Sequence, residues 1–423
     1  MQQASLIFFA LEQWKHHPVS ETSATDHAAR SAPTPWTTII LLALTAFGAA
    51  ASQRLLDPLL PRLAEEYQRS LGATSLVVTA YAIAYALLQL VLGPFGDRYG
   101  KLKVIAIAAT VAAAATVLCA LASTLETLIA ARILVGMACA AVIPLSMAWI
   151  GDNIPYEQRQ PVLARFLIGQ ICGLACGQAF GGLAAEQSYW QWPFIVYAVL
   201  FLLAALLLFK RTAGMTRAPR SGSGNLLVNL KGVLDIAWAR IVLVTVLCEG
   251  IFIFGAFAFL PSYLHFAGGL ALSTAGLVMA TFALGGLAFA LFARRLVPLL
   301  GEKQLAGGGA LLISVALVAL YLWPHAAPAI PASFTFGLGF YMLHNTLQTH
   351  ATQMAPTRRG AAVSLFATAF FTGQSIGIAA AGLLAQYGSI TTVLMISALA
   401  IVPIGFGFAW LLARRDRLLE PAT

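Results

Sequence analysis

The sequence predicts an all-α membrane protein of twelve transmembrane helices, arranged as two six-helix pseudo-repeats. Three observations carry that prediction. First, 60% of the 423 residues are hydrophobic and only 10% are charged, against roughly 25% charged in soluble domains. One water-soluble core does not hide that much apolar surface, so the chain needs lipid. Second, apolar runs of about 20 residues, long enough to cross a bilayer, are separated by short loops that hold the basic residues. Third, glycine and proline landmarks recur at an offset of 200 residues.

The elements follow in order. Residues 1–35 read as a polar N-terminal segment on the cytoplasmic side. Leu6–Leu11 within it is too short to span a bilayer and has no basic stretch before it, so it is no signal peptide. It fits a short amphipathic helix on the membrane surface, or a stretch upstream of the true initiator. Spans are expected near 36–56, 75–95, 102–122, 127–149, 163–184 and 190–209, forming a first bundle over 36–209. A polar linker, 210–237, carries Thr-Arg-Ala-Pro-Arg-Ser-Gly-Ser-Gly-Asn. Spans near 238–260, 272–293, 304–323, 328–350, 361–385 and 390–412 form a second bundle over 238–412, followed by a cytoplasmic tail, 413–423.

Of the 25 Lys and Arg, all but Arg54, Arg62, Arg69 and Arg132 fall on the side of the two termini. By the positive-inside rule that side is cytoplasmic, in a plasma membrane such as a bacterial inner membrane. Leu60-Pro61 recurs as Leu260-Pro261, and Gly173, Gly177 and Gly182-Leu183 recur as Gly373, Gly377 and Gly382-Leu383. Parallel repeats with a site between them near mid-membrane are a transporter arrangement.

Several classes are excluded. The net charge of +9 sits in short loops, without the aromatic interleaving of a nucleic-acid surface. The five cysteines all lie in apolar segments and read as packing residues. Gly307-Gly308-Gly309 has no Gly-Lys-Ser/Thr after it, so it is not a nucleotide loop. No nucleophile–base pair or metal constellation is present, so no cofactor is expected and the chain is not read as an enzyme. An ion gradient or the substrate's own gradient must supply the energy.

Charges at membrane depth cost about 2.5–3.5 kcal/mol each on insertion scales, so each needs a partner, a wet cavity or a role. Glu249, midway along the seventh span, reads as a proton- or substrate-coupling acid, or as a structural acid bonded to a neighbouring helix. Burial disfavours an ionised carboxylate, the property a proton carrier needs. Arg132 lies in the middle third of the fourth span. It cannot lose its proton, so it either biases a nearby acid or anchors a fixed ion pair. Arg54 and Asp57, three apart near the outer end of the first span, are placed to pair. They read as a solvated interfacial pair, or as an outer gate with a second protonatable site. His344, Asn345 and Gln348 form a polar cluster on the tenth span, suited to interhelical hydrogen bonds or to substrate. Phe252, Phe254, Phe257 and Phe259 read equally as lipid-facing or packing residues or as a ligand wall, and His350 is set aside as too near the cytoplasm.

Gly93-Pro-Phe-Gly-Asp-Arg-Tyr-Gly-Lys-Leu-Lys103 packs four charges between two apolar runs. Within it, Gly93-x-x-x-Asp97-Arg98-x-Gly100-Lys101 matches the signature loop of the major facilitator superfamily, and the chain resembles that superfamily over 36–412. Leu128-x-x-x-Arg132-x-x-x-Gly136 resembles its fourth-helix motif. The run Gly169, Gly173, Gly177, Gly181, Gly182 is similar to the fifth-helix motif of the drug/proton antiporters, with Gln178 in place of the usual proline. Arg54-x-x-Asp57-Pro-Leu-Leu-Pro61 also looks like that branch. The resemblance implies the major facilitator fold, proton relay at Arg132, and a functional monomer. It further implies a conformational latch in which Asp97 caps the start of helix 11 near 360–363 when the cytoplasmic side is closed. The loop's second copy, 293–303, lacks the aspartate. The expected function is therefore proton-coupled efflux of a small organic molecule by alternating access. The rivals are a symporter or uniporter importing a metabolite, a polytopic membrane enzyme, and a transport-dead sensor.

Overall fold

Buried in lipid, a backbone has no water to bond to, so a spanning segment must satisfy its own N–H and C=O groups as a helix. The computed structural model describes residues 35–212, 226–387 and 389–419, and among these it is helical with no strand. The N-terminal segment 1–34, the Gly/Ser stretch of the linker and the tail end 420–423 lie outside the described residues. The crossing helices are α1 Trp36–Arg54, α2 Leu71–Gly93, α3 Lys101–Ala120, α4 Leu125–Asn153, α5 Tyr156–Ala185, α6 Trp192–Thr212 and α7 Ala237–Phe266. The element Leu272–Leu322 holds the next two. Its 51 residues would run about 76 Å at 1.5 Å each, far more than one bilayer core of about 30 Å. Gly301 divides it at φ +70°, giving α8 over 272–300 and α9 over 302–322. Then come α10 Ala326–Gln353, α11 Arg359–Gln386 and α12 Ile390–Leu419. The twelve crossings fall into two sets of six.

Two expected elements differ in detail. The linker is not wholly irregular: Leu226–Leu234 is a helix, with Val233 buried and Leu227 and Val228 exposed. Its short apolar pattern is masked by the polar stretch before it. The seventh span is not one regular helix either. Directly after Glu249 a π-helical turn, Gly250–Phe254, interrupts α7, the kind of widened turn that often marks functional sites.

Small residues let helices touch backbone to backbone, which in lipid supplies the packing that apolar burial does not. On α5, Gly169, Gly173, Gly177 and Gly181 lie against the carbonyls of Ala43, Phe47, Ala51 and Leu55, one glycine per turn of α1. In the second half, Gly373 and Gly377 of α11 lie against Leu247 and Ile251, each 200 residues after its counterpart contact. The halves meet by the same rule. Gly182 packs on Leu272 and Gly276 of α8, and Gly72 of α2 packs on Gly382 of α11. These contacts map onto each other under the same offset, so the sequence repeat is a two-fold relation in space. On its axis, the Arg54 guanidinium lies 4.2 Å from the ring of Phe254, its own repeat counterpart.

Contacts between the halves gather at one end. Ser375 Oγ donates to the Thr79 carbonyl and Thr368 Oγ1 to that of Ala86. Tyr85 stacks on Phe371 at 3.9 Å between ring centres. Thr79 and Ser375, like Gly72 and Gly382, lie in the halves of α2 and α11 remote from Asp97–Lys103, Lys210–Arg211 and Lys303, here termed the basic face, while Tyr85, Ala86, Thr368 and Phe371 lie near the middle of those helices. At that face a β-carbon on Gly93 or Gly360 would meet nothing within 4 Å. The molecule is closed at the opposite face and open toward the basic one.

Glycine packing makes a first prediction. Gly177→Leu forces α5 off α1, and overpacking of this kind costs about 1–3 kcal/mol or more. The expected outcome is a lower thermal midpoint and a smaller monodisperse fraction in detergent. Gly407→Ala, where the added methyl meets nothing within 4 Å, leaves both unchanged.

Candidate functional site

The zipper of α5 on α1 places one acid between two glutamines. Arg54, at the end of α1, and Asp57, in the turn that follows, are only 3% and 0% exposed. They are not the solvated interfacial pair that a position near the helix end suggests, because α5 and α11 cover them. Arg54 Nη1 reaches Asp57 Oδ2 at 3.5 Å, and the Gln178 amide of α5 donates to the same oxygen at 3.0 Å. Arg54 Nη2 donates across the interface to Gln374 Oε1 of α11 at 2.9 Å, and Gln53 donates to that oxygen at 3.4 Å. Asp57 Oδ1, Gln178 Oε1 and Gln374 Nε2 are buried without a hydrogen-bond partner among the described residues. Gln178 thus puts a donor on the acid where the antiporter motif has a proline.

Arg132 is fully buried in α4 and makes no ion pair among the described residues. Its Nη1 donates to Ser52 Oγ at 3.2 Å and its Nε to the Val77 carbonyl at 3.4 Å. Its guanidinium covers the Tyr81 ring at 4.3 Å. A fixed ion pair is therefore not what holds it; a hydroxyl, a carbonyl and a π-face do.

In the second half the polar centre is different. Glu249, 0% exposed at the start of the π-turn, meets His344 of α10 at 2.8 Å between Oε2 and Nδ1, and the imidazole is 16% exposed. Phe340, Phe366 and Phe370 surround the imidazole at 5.0, 5.5 and 4.6 Å between ring centres. Phe254 and Phe257 pack in the same aromatic core, and neither faces lipid. Glu249 Oε1 has no partner among the described residues. Asn345 is half-buried and Gln348, one turn beyond His344 on α10, is exposed.

On the basic face, Gly100 closes α2 at φ +90°, a left-handed conformation that favours glycine. Lys101 Nζ bridges Asp97 Oδ1 and Asp152 Oδ2, both at 2.7 Å, while Arg98 lies over Tyr99. Asp97 therefore pairs within its own half, and the start of α11 is not its partner in this state. The second copy lacks the aspartate, yet charge is rebuilt there from other elements. Glu302 binds His350 at 3.0 Å and Lys303 binds Asp416 at 2.8 Å. His350 is also 3.4 Å from Arg415.

Two pseudo-symmetric bundles, a charged loop at 93–101 and membrane-depth polar residues at their junction agree with a match to the sequence model of the Major Facilitator Superfamily, covering residues 42–360 and 269–422. The chain belongs to the major facilitator superfamily. It is a multi-pass membrane transporter and not an enzyme. Among relatives of this superfamily chain, the uncharacterized MFS-type transporter YceJ of Bacillus subtilis is 26% identical over 80% of the chain and 87% of its own length. The multidrug efflux pump LfrA of Mycolicibacterium smegmatis is 28% identical over 51% of the chain and 43% of its own length. A bacterial homologue of the human lysosomal transporter Spinster, solved inward-facing and unoccupied, superimposes with a TM-score of 0.71 at 16% identity, covering 93% of this chain and 100% of that one. That last likeness is one of fold.

Sequence reasoning placed Arg54, Asp57, Arg132, Glu249 and His344 but missed the partners Ser52, Gln178 and Gln374. An amide within an apolar span was the available signal for the glutamines. Removing one partner of a buried ion pair costs about 3–5 kcal/mol, because the other charge is left uncompensated. Arg54→Gln is therefore expected to lower the detergent thermal midpoint more than the double variant Arg54→Gln/Asp57→Asn does. Additive losses in that double-mutant cycle would show that the pair is not coupled.

Proposed function

We propose that this transporter exports a small organic molecule in exchange for protons, by rocking the bundles 36–209 and 238–412 against each other as a functional monomer. It does so across a plasma membrane, the basic face and both termini being cytoplasmic. The observation that carries the reading is the Glu249–His344 pair. Both side chains are of types that can carry a proton, Glu249 is fully buried, and the imidazole lies among three phenylalanines and is 16% exposed. A proton on the imidazole makes the pair ionic, while a proton on the carboxylate leaves a neutral hydrogen bond. Those two arrangements share one proton; its release leaves a neutral imidazole beside a carboxylate, so the pair gains or loses one proton while the aromatic packing around it is kept. Asp57 is a second candidate acid, coupled to the junction of the halves through Arg54 and Gln374, and Arg132 biases it from α4. His344, Asn345 and Gln348 supply substrate contacts on the side of the opening. Partial similarity to a named multidrug efflux pump favours export.

The cycle needs the basic face to close. Asp97 then leaves Lys101 for the free N–H groups at the start of α11, where the helix dipole favours an acid.

An export screen of a deletion strain supplies the substrate, and everted vesicles then test the coupling. Glu249→Gln is expected to abolish proton-driven flux while substrate exchange without a gradient persists. Undiminished proton-driven flux would remove Glu249 from the mechanism. Acidification on substrate addition, where exchange predicts the opposite pH change, would establish symport instead.

Asp97→Asn is expected to lower turnover severalfold with substrate affinity unchanged. Loss of binding with normal turnover per bound substrate would rule out the latch.

A further inference from the structure

Helices α1 and α6 touch at mid-membrane, where Gly48 lies against the Phe201 ring, and they part toward the basic face. The gap is a groove of about 340 Å³ lined by Thr37, Leu41, Leu207, Lys210 and Arg211. That volume lies at the small end of ligand sites, which run from about 300 to 1,000 Å³. The spacing assembles it: Thr37 and Leu41 are one turn apart on α1, and Leu207, Lys210 and Arg211 share a face of α6. Leucines form the deeper wall and the two cations form the rim.

Three features of the rim point to an anion. Neither Lys210 nor Arg211 has an acidic partner among the described residues. A third cation, Arg165 of α5, lies over the Trp36 ring at 4.4 Å, beside Thr37, and also has no acidic partner among the described residues. The first-turn N–H groups of α1 open at this end, and their dipole adds positive potential. Elsewhere on this face Lys101 and Lys303 are each neutralised by an aspartate. At the groove the rim cations have no such partner among the described residues, and Trp36 opens α1 beside them where an interfacial aromatic is expected.

We propose that this groove binds the phosphate-bearing headgroup of an anionic phospholipid. The phosphodiester lies between Lys210 and Arg211, and the start of its acyl chain lies along Leu41 and Leu207. The apolar wall continuous with a cationic rim suits an amphiphile better than a free anion, which needs no leucine wall. Bound there, the lipid bridges α1 and α6, which belong to the same bundle, at the end that faces the opening.

The full chain in mild detergent is titrated with short-chain phosphatidylglycerol, short-chain phosphatidylcholine or inorganic phosphate, with adducts read by native mass spectrometry and stability by thermal midpoint. Phosphatidylglycerol is expected to bind roughly tenfold or more tighter than phosphatidylcholine and to raise the midpoint. Lys210→Gln/Arg211→Gln and Leu207→Trp, which fills the groove and keeps its charges, should each remove that preference. Arg294→Gln/Arg295→Gln, which removes two exposed charges from the last turns of α8, should keep it. Equal loss in the Arg294/Arg295 variant reduces the effect to bulk charge and overturns the site. A preference that survives Leu207→Trp overturns the groove. Inorganic phosphate binding with the same residue dependence, without phosphatidylglycerol binding, overturns the lipid as occupant.

Discussion

Backbone contact between α5 and α1 is the constraint on which the rest of this structure depends. Lipid tails are as apolar as leucine, so these helices gain little by hiding from them, and close packing must hold them together. Four glycines in successive turns of α5 allow that approach. The short amide of Gln178 reaches Asp57 at 3.0 Å only because the helices touch. Wider spacing would leave a buried carboxylate with one long contact to Arg54 and no other donor. The same contact, repeated between α11 and α7, sets Gln374 beside Arg54 and brings Gly250, next to Glu249, against the α11 backbone.

Shared geometry does not mean shared chemistry. Under the 200-residue offset, Arg54 and Asp57 become Phe254 and Phe257, while Glu249 becomes Ala49 and His344 becomes Pro144. One half therefore keeps its acid beside an arginine, and the other keeps its acid beside a histidine. An arginine holds its charge at every working pH, so the Arg54–Asp57 pair exchanges protons only by giving up an ion pair. Histidine titrates near neutrality. The Glu249–His344 pair can change charge without leaving an arginine uncompensated, which ranks it above Asp57 as the proposed proton carrier. Arg54 over Phe254 then joins the two halves by a contact that no titration breaks.

Much of this was legible in the chain. Span number, the repeat and the charge bias are properties of long windows, where single-residue ambiguity averages out. Arg54, Asp57, Arg132 and Glu249 stood out because a charge within an apolar run is costly and therefore rare. The glutamines were harder to read. A neutral amide raises no such alarm, and the value of Gln178 depends on which turn of α1 it faces, a fact of three-dimensional register. The departure from proline at that position supplies a donor to Asp57. His350 was set aside for its depth. That argument fails because α12 and the start of α9 carry Arg415 and Glu302 to it.

In the proposed cycle, the basic face keeps a latch ready in the open state. Asp97 is not an unpaired acid awaiting a partner, since Lys101 already holds it and Asp152 shares that lysine. Closing the face therefore exchanges one set of hydrogen bonds for another. When Asp97 moves to the start of α11, Lys101 keeps Asp152, so neither charge is stranded. Such an exchange keeps the two states close in energy, which a transporter requires if a proton or a substrate is to tip the balance. The second half has no aspartate at the equivalent place, and its charges are tied among α10, α12 and the start of α9. The switchable contact is thus confined to one loop, and Asp97 is the residue whose partner must change.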